Sequence, residues 1–274
     1  MKRISICGVD GTGKTSVIQK IQQRFSATPA EACAFRVTQY HDDPRAPLGE
    51  LSALIDRVSV QADKTGDPLL KTSALFLAMT MFGDVEAYYA ETFKPRFLFS
   101  ERQALADSLA YSKFYKGLLT GPLKRDALDA ETTLKLGRWV ETVRARVPAD
   151  SPVDTTRLDL LTLPLFIRAL FDLPPPELVA HLKAIYRCAT PNEVVLLKVS
   201  PTKLAERMAQ KAAGGAQREL HEKLHVLEAL QGGLEQCCRL LSTFAPSLEF
   251  HALDTSELSI EAACERVYEL TGVR

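Results

Sequence analysis

Gly8-Val9-Asp10-Gly11-Thr12-Gly13-Lys14-Thr15 follows a short apolar run at residues 4–7 and opens a segment, residues 14–25, in which Val17, Ile18, Ile21 and Phe25 mark one helix face. A Gly-x-x-x-x-Gly-Lys-Thr pattern alone arises by chance in unrelated chains, but between a strand and a helix it has the context that phosphate recognition needs. The glycines let backbone N–H groups turn inward on an anion. The helix N-terminus adds its positive dipole end, Lys14 a point charge, and the Thr15 hydroxyl a ligand for Mg²⁺. Gly8, Asp10, Gly11, Thr12, Gly13, Lys14, Thr15 and Ser16 are therefore expected to hold the phosphates of a nucleoside triphosphate, with ATP the preferred choice.

Outward from this loop, apolar runs at residues 35–40, 96–100, 193–199 and 248–253 alternate with helix-period segments. That alternation predicts an α/β fold of the P-loop NTPase type, a five-stranded parallel sheet flanked by helices. Residues 74–92 read as one long, largely buried helix. Residues 201–244 read as two helices broken at Gly214-Gly215, and residues 259–270 as the last helix, after the turn Asp254-Thr255-Ser256. Residues 118–176 do not fit the alternation. They hold an amphipathic segment (127–147), Pro148, Pro152, an apolar segment (158–173) and Pro174-Pro175-Pro176, and read as a helical insertion in a single domain of residues 1–274.

With 46% hydrophobic and 25% charged residues, the 274-residue chain has globular composition. Lys plus Arg equals Asp plus Glu at 34 each, so no bulk charge favours a nucleic acid or an anionic membrane, and phosphate binding must be local. The six cysteines show no CxxC pair and no regular spacing, and read as reduced thiols. The run at residues 4–7 is too short for a signal sequence, and no later run approaches membrane-spanning length, so a cytoplasmic location is expected.

The loop resembles the phosphate loop of thymidylate kinases, which favour an Asp and a second Gly inside it. Asp43-Pro44-Arg45-Ala46-Pro47-Leu48-Gly49-Glu50 resembles that family's Glu-Pro…Pro-Leu-Gly-Glu segment. Phe99-Ser100-Glu101-Arg102 and Ser108-Leu109-Ala110-Tyr111 resemble its Asp-Arg and Ser-Leu-Ala-Tyr, and Leu196-Leu197-Lys198-Val199-Ser200-Pro201 the strand before its lid. Leu253-Asp254-Thr255-Ser256 resembles the loop that lies by the adenine, which implies nucleotide contacts for Asp254 and Thr255. Apart from the insertion, the resemblance covers nearly the whole chain. It implies that Thr15 and Glu101 organise Mg²⁺ and that helices such as residues 74–92 form a homodimer; similarity to the nucleoside-kinase relatives implies that Asp43 acts as base toward the acceptor hydroxyl.

Independently of the resemblance, Glu101-Arg102 falls at the C-terminal end of a predicted central strand, where open parallel sheets place ligands. Arg102 can clamp a phosphoryl group with its planar fork. Transfer also needs positive charge on the migrating group, and Arg207, Lys211 and Arg218 flank the Gly214-Gly215 joint of a lid at about residues 201–222. Arg218 is the first choice and Arg207 the second.

The acceptor half departs from the family. Its Asp-Arg pair on the long helix aligns with Thr80 and Met81, and the arginine before Glu-Pro is replaced by Asp42. An Asp42-Asp43 pair repels a phosphate at close range. Glu101, Arg102 and Asp107 instead match the spacing of deoxynucleoside kinases, and Phe76 and Phe82 are candidates to stack on a base. The expected activity is Mg²⁺·ATP-dependent transfer of the γ-phosphoryl group to a small-molecule acceptor, a nucleoside or other hydroxyl compound. The alternatives are dTMP phosphorylation, with Arg45 or Arg57 replacing the missing arginines, and a non-catalytic nucleotide-binding regulator. His221-x-x-x-His225 lacks a third ligand nearby, and Asp63-Lys64-Thr65-Gly66 follows no strand, so neither is read as a metal or GTPase motif.

Overall fold

The computed structural model describes residues 1–115, 128–213 and 223–273, with residues 113–115 as backbone only. In chain order the elements are β1 (Lys2–Cys7), α1 (Lys14–Arg24), β2 (Ala32–Arg36), α2 (Gly49–Thr65), α3 (Pro68–Met79), α4 (Phe82–Phe93), β3 (Phe97–Glu101) and α5 (Ala104–Tyr115). After these come α6 (Ala130–Arg144), α7 (Leu163–Ala169), α8 (Pro175–Tyr186), β4 (Glu193–Lys198), α9 (Pro201–Ala213), α10 (Leu224–Phe244), β5 (Glu249–Asp254) and α11 (Ile260–Thr271). The chain divides into two compact units. One comprises Met1–Arg36, Tyr88–Ala110 and Thr190–Arg274, and the other Val37–Ala87 and Tyr111–Ala189.

The first unit is the parallel α/β fold anticipated from the loop. Its five strands run in the order β2-β3-β1-β4-β5, and every neighbouring pair is parallel. Strand periodicity sends Ile4 and Ile6 of β1 to one face, where they join Val17, Ile18 and Ile21 of α1 and Val267 and Tyr268 of α11 in a continuous core. Ser5 and Cys7 face the other way. The Ser5 and Ser100 hydroxyls bond each other at 2.9 Å, and the Cys7 thiol meets Cys238 of α10. That hydrogen bond, with burial, holds the Cys7 thiol well above its usual range. All six cysteines are buried and none forms a disulfide.

The expected strand at residues 35–40 lies earlier, at Ala32–Arg36. β2 is an edge strand paired only with β3, from Ala32 opposite Phe97 to Arg36 opposite Glu101, so the length of β3 sets its own. Thr38, at φ +78°, then ends the extended backbone.

In the second unit, α2 packs on α3 and α6, and α3 on α7. The single helix expected at residues 74–92 is two helices, α3 and α4, joined at Thr80 and Met81. No proline causes this break; long-range partners stabilise it. The Thr80 carbonyl accepts from Arg146 at 2.8 Å and its hydroxyl accepts from the Trp139 indole at 2.7 Å. Arg146 continues to Asp84 in the first turn of α4 at 2.8 Å, and Arg187 holds the other oxygen of Asp84 at 2.7 Å. An acidic residue is favourable at that helix end. Phe76 and Phe82, the candidate stacking rings, are 0% and 2% exposed in the core and leave no face for a base. Among the described residues, no helix is long and apolar enough to cross a membrane.

Gly83 of α4 lies against the end of α8, where a Cβ would stand 2.1 Å from the Arg187 carbonyl oxygen. Gly83→Ala should therefore lower stability by about 1–3 kcal/mol through overpacking. Gly232→Ala, in α10 with open space around it, should raise it by about 0.5–1 kcal/mol. Chemical-denaturation midpoints check both signs.

Candidate functional site

The loop between β1 and α1 depends on close backbone approach. A Cβ on Gly8 would stand 2.5 Å from the Thr12 hydroxyl and 2.9 Å from the Leu197 carbonyl. Gly13 caps α1 at φ +93° with no side-chain cap, so the first amides of the helix are left for an external acceptor. Thr12 turns inward, its hydroxyl bonding the Val9 carbonyl at 2.8 Å. Thr255, at the end of β5, steadies the loop from the other side. Its hydroxyl reaches the carbonyls of Thr12 at 3.1 Å and Lys198 at 3.0 Å. Asp254 beside it accepts from the Ser256 hydroxyl and amide, which hold its carboxyl below the usual carboxylate range.

Seven side chains form the polar floor. The Thr15 hydroxyl donates to Glu101 Oε1 at 2.7 Å, and Arg36 Nε to Glu101 Oε2 at 3.1 Å. The Lys14 ammonium, 4% exposed, contacts Asp10 at 2.9 Å and the Val9 carbonyl at 3.4 Å. Arg102 bridges Asp107 at 2.9 Å and Asp10 at 3.5 Å. Asp10, Glu101 and Asp107 thus oppose Lys14, Arg36 and Arg102, so the floor is balanced in charge and largely buried.

Arg102 is held at φ +71°, a strained conformation for a side chain of this size. Its amide donates to the Ile6 carbonyl at 2.8 Å and its carbonyl accepts from Ser100 at 2.9 Å, which fixes it there. The strain turns the chain out of β3 just where its guanidinium and Glu101 meet the loop.

Arg207 of α9, placed in a lid by its sequence position, is anchored to the loop itself. It donates to the Gly11 carbonyl at 3.0 Å and to the Thr255 carbonyl at 2.6 Å. Beside it is a cavity of about 310 Å³ lined by Lys203, Arg207, Gln210, Ser256, Leu258 and Ser259. Ser16 is half-buried in the first turn of α1. Arg218, the other lid candidate, lies outside the described residues, as does His221.

Asp43 belongs to the second unit. Its carboxylate accepts from the Arg45 guanidinium at 2.7 to 3.2 Å and from the Arg45 amide at 3.0 Å, a local turn closed by an ion pair. Arg36 escaped the sequence reading. Its signal is positional: once β2 pairs with β3, Arg36 stands opposite Glu101. Gln103 was missed as well; its side-chain oxygen accepts from the Ala106 amide at 2.8 Å at the start of α5, while its side-chain nitrogen is buried without a partner.

The sequence matches no known protein family and no curated protein. Among solved structures, a thymidylate kinase from Candida albicans is similar to this chain at 13% identity and a TM-score of 0.46, over 99% of this chain and 91% of that one.

Proposed function

We propose that this chain is a Mg²⁺·ATP-dependent phosphotransferase that moves the γ-phosphoryl group to a hydroxyl of a small, uncharged or cationic acceptor. The observation that carries the reading is the 2.7 Å approach of Thr15 Oγ1 to Glu101 Oε1 beneath the glycine loop. Neighbouring oxygens around an octahedral Mg²⁺ lie about 2.9 Å apart, so this pair already spans one edge of such a shell. The ion would neutralise charge on the β- and γ-phosphates.

The chain's own groups have distinct tasks in this reading. Lys14 exchanges Asp10 for phosphate oxygens, and the amides at the start of α1 hold the chain of phosphates. Arg207 fixes the Gly11 and Thr255 backbones, and the cavity beside it receives the base and ribose. Arg102, already turned toward Asp10, adds positive charge near the migrating group. The acidic Asp42-Asp43 pair supports an acceptor without phosphate, and Asp43 serves as its base once released from Arg45.

A second reading, transfer to a nucleoside monophosphate such as dTMP, has one observation in its favour. Met81 stands where the resembled family carries an arginine, and Arg146 of the second unit brings a guanidinium to the neighbouring Thr80 carbonyl from elsewhere in the sequence.

ADP release measured across nucleosides, nucleoside monophosphates, sugars and amino alcohols separates the two, with turnover on an unphosphorylated hydroxyl compound expected. Turnover with dTMP alone would establish the second reading, and no turnover with any acceptor would remove the enzyme assignment. Lys14→Ala should lower kcat by on the order of 10²–10³-fold or more, the loss typical of a single transition-state charge donor. Arg207→Ala should raise KM for ATP more than it lowers kcat, since its contacts are to the loop backbone.

A further inference from the structure

At the end of the sheet opposite the phosphate loop, Glu193 opens β4 and stands directly beside Glu249, which opens β5. His251 follows two residues later on β5, so strand periodicity returns it to the face of Glu249. The donor atoms of Glu193, Glu249 and His251 all lie within 4.8 Å of one another.

Two of these groups lack what burial demands. Glu193 is 2% exposed; its Oε1 is paired with Lys2, yet its Oε2 is buried with no hydrogen-bond partner. The Nε2 of His251 is also buried without a hydrogen bond, and Glu249 Oε2, at 3.8 Å, is beyond bonding distance. A buried carboxylate oxygen left unmatched carries its desolvation penalty uncompensated. Like charges directly opposite on paired strands add to that cost. One cation among the three donors removes both penalties.

We propose that Glu193, Glu249 and His251 form a binding site for a divalent transition-metal ion, with Zn²⁺ as the best fit. An imidazole with two carboxylates is a ligand set for zinc, completed by a water as fourth ligand. The two carboxylates match the charge of the ion, while Lys2 stays on Glu193 Oε1 and on the Thr271 carbonyl, 3.0 Å away. Zinc bonds of about 2.0–2.2 Å place donors of one ion roughly 3.3 Å apart. Glu249, whose side chain is 70% exposed, is free to rotate and close the remaining gap. The ion would clip the edge strand β5 to β4, independent of any nucleotide at the phosphate loop.

The test is calorimetric titration of the full chain with ZnCl₂, without nucleotide or Mg²⁺, for the wild type and a Glu249→Gln/His251→Asn variant. Both substitutions lie on the edge strand and preserve side-chain size. The wild type should bind one more equivalent of Zn²⁺ than the variant. Each single substitution should weaken binding by at least the roughly 10–100-fold that loss of an outer-sphere partner alone brings. Saturating Zn²⁺ should raise the thermal midpoint of the wild type and leave that of the double variant unchanged. Equal stoichiometry and equal midpoints in the two proteins would overturn the site.

Discussion

The parallel pairing of β1 with β3 is the constraint on which the site depends. Ile6 stands opposite Glu101, and the Arg102 amide closes the ladder on the Ile6 carbonyl. This register brings a carboxylate from one strand to the level where the other strand turns into the glycine loop. A shift of one residue would reverse the face of every side chain on β3, and the contact between Thr15 and Glu101 would be lost. The same register puts Arg36 of β2 beside Glu101, so three strands converge on one carboxylate.

The floor of the loop is electrostatically self-contained. Lys14 and Arg102 share Asp10, Arg102 also holds Asp107, and Arg36 holds Glu101. In a buried setting such pairs limit the cost of desolvating each charge. They also keep Lys14 in place over the loop, where an incoming phosphate has only to compete with one carboxylate. Basic and acidic residues balance at 34 each over the whole chain, so the positive charge at the loop is supplied locally by Lys14, Arg36 and Arg102.

Much of the first unit was legible in the sequence because its signals are local. The glycine loop, the apolar runs and the closing Asp254-Thr255-Ser256 turn each mark their element by short-range chemistry. What was not legible depends on distant partners or atypical caps. Helix α2 carries Leu54, Ile55, Val58 and Ala62 on a buried face, yet it starts from Leu48 at φ +62° with no side-chain cap, so the usual start signal is missing. The proline run at residues 174–176 closes the expected insertion, whereas Pro175 and Pro176 open α8 at positions whose amides need no intrahelical partner. The division between α3 and α4 reflects Arg146 and Trp139, more than fifty residues away from Thr80. Sequence position alone likewise could not disclose the pairing of Asp43 with Arg45.

The central claim is that Thr15 and Glu101 together organise one Mg²⁺ for a bound triphosphate. Its most direct measurement is the Mg²⁺ dependence of ATP affinity in a double-mutant cycle of Thr15→Val and Glu101→Gln. If both oxygens serve one ion, each single variant loses most of the Mg²⁺-dependent gain in affinity, and the double variant is little worse than the weaker single one. Additive losses, or a wild type whose ATP affinity ignores Mg²⁺, would contradict the account.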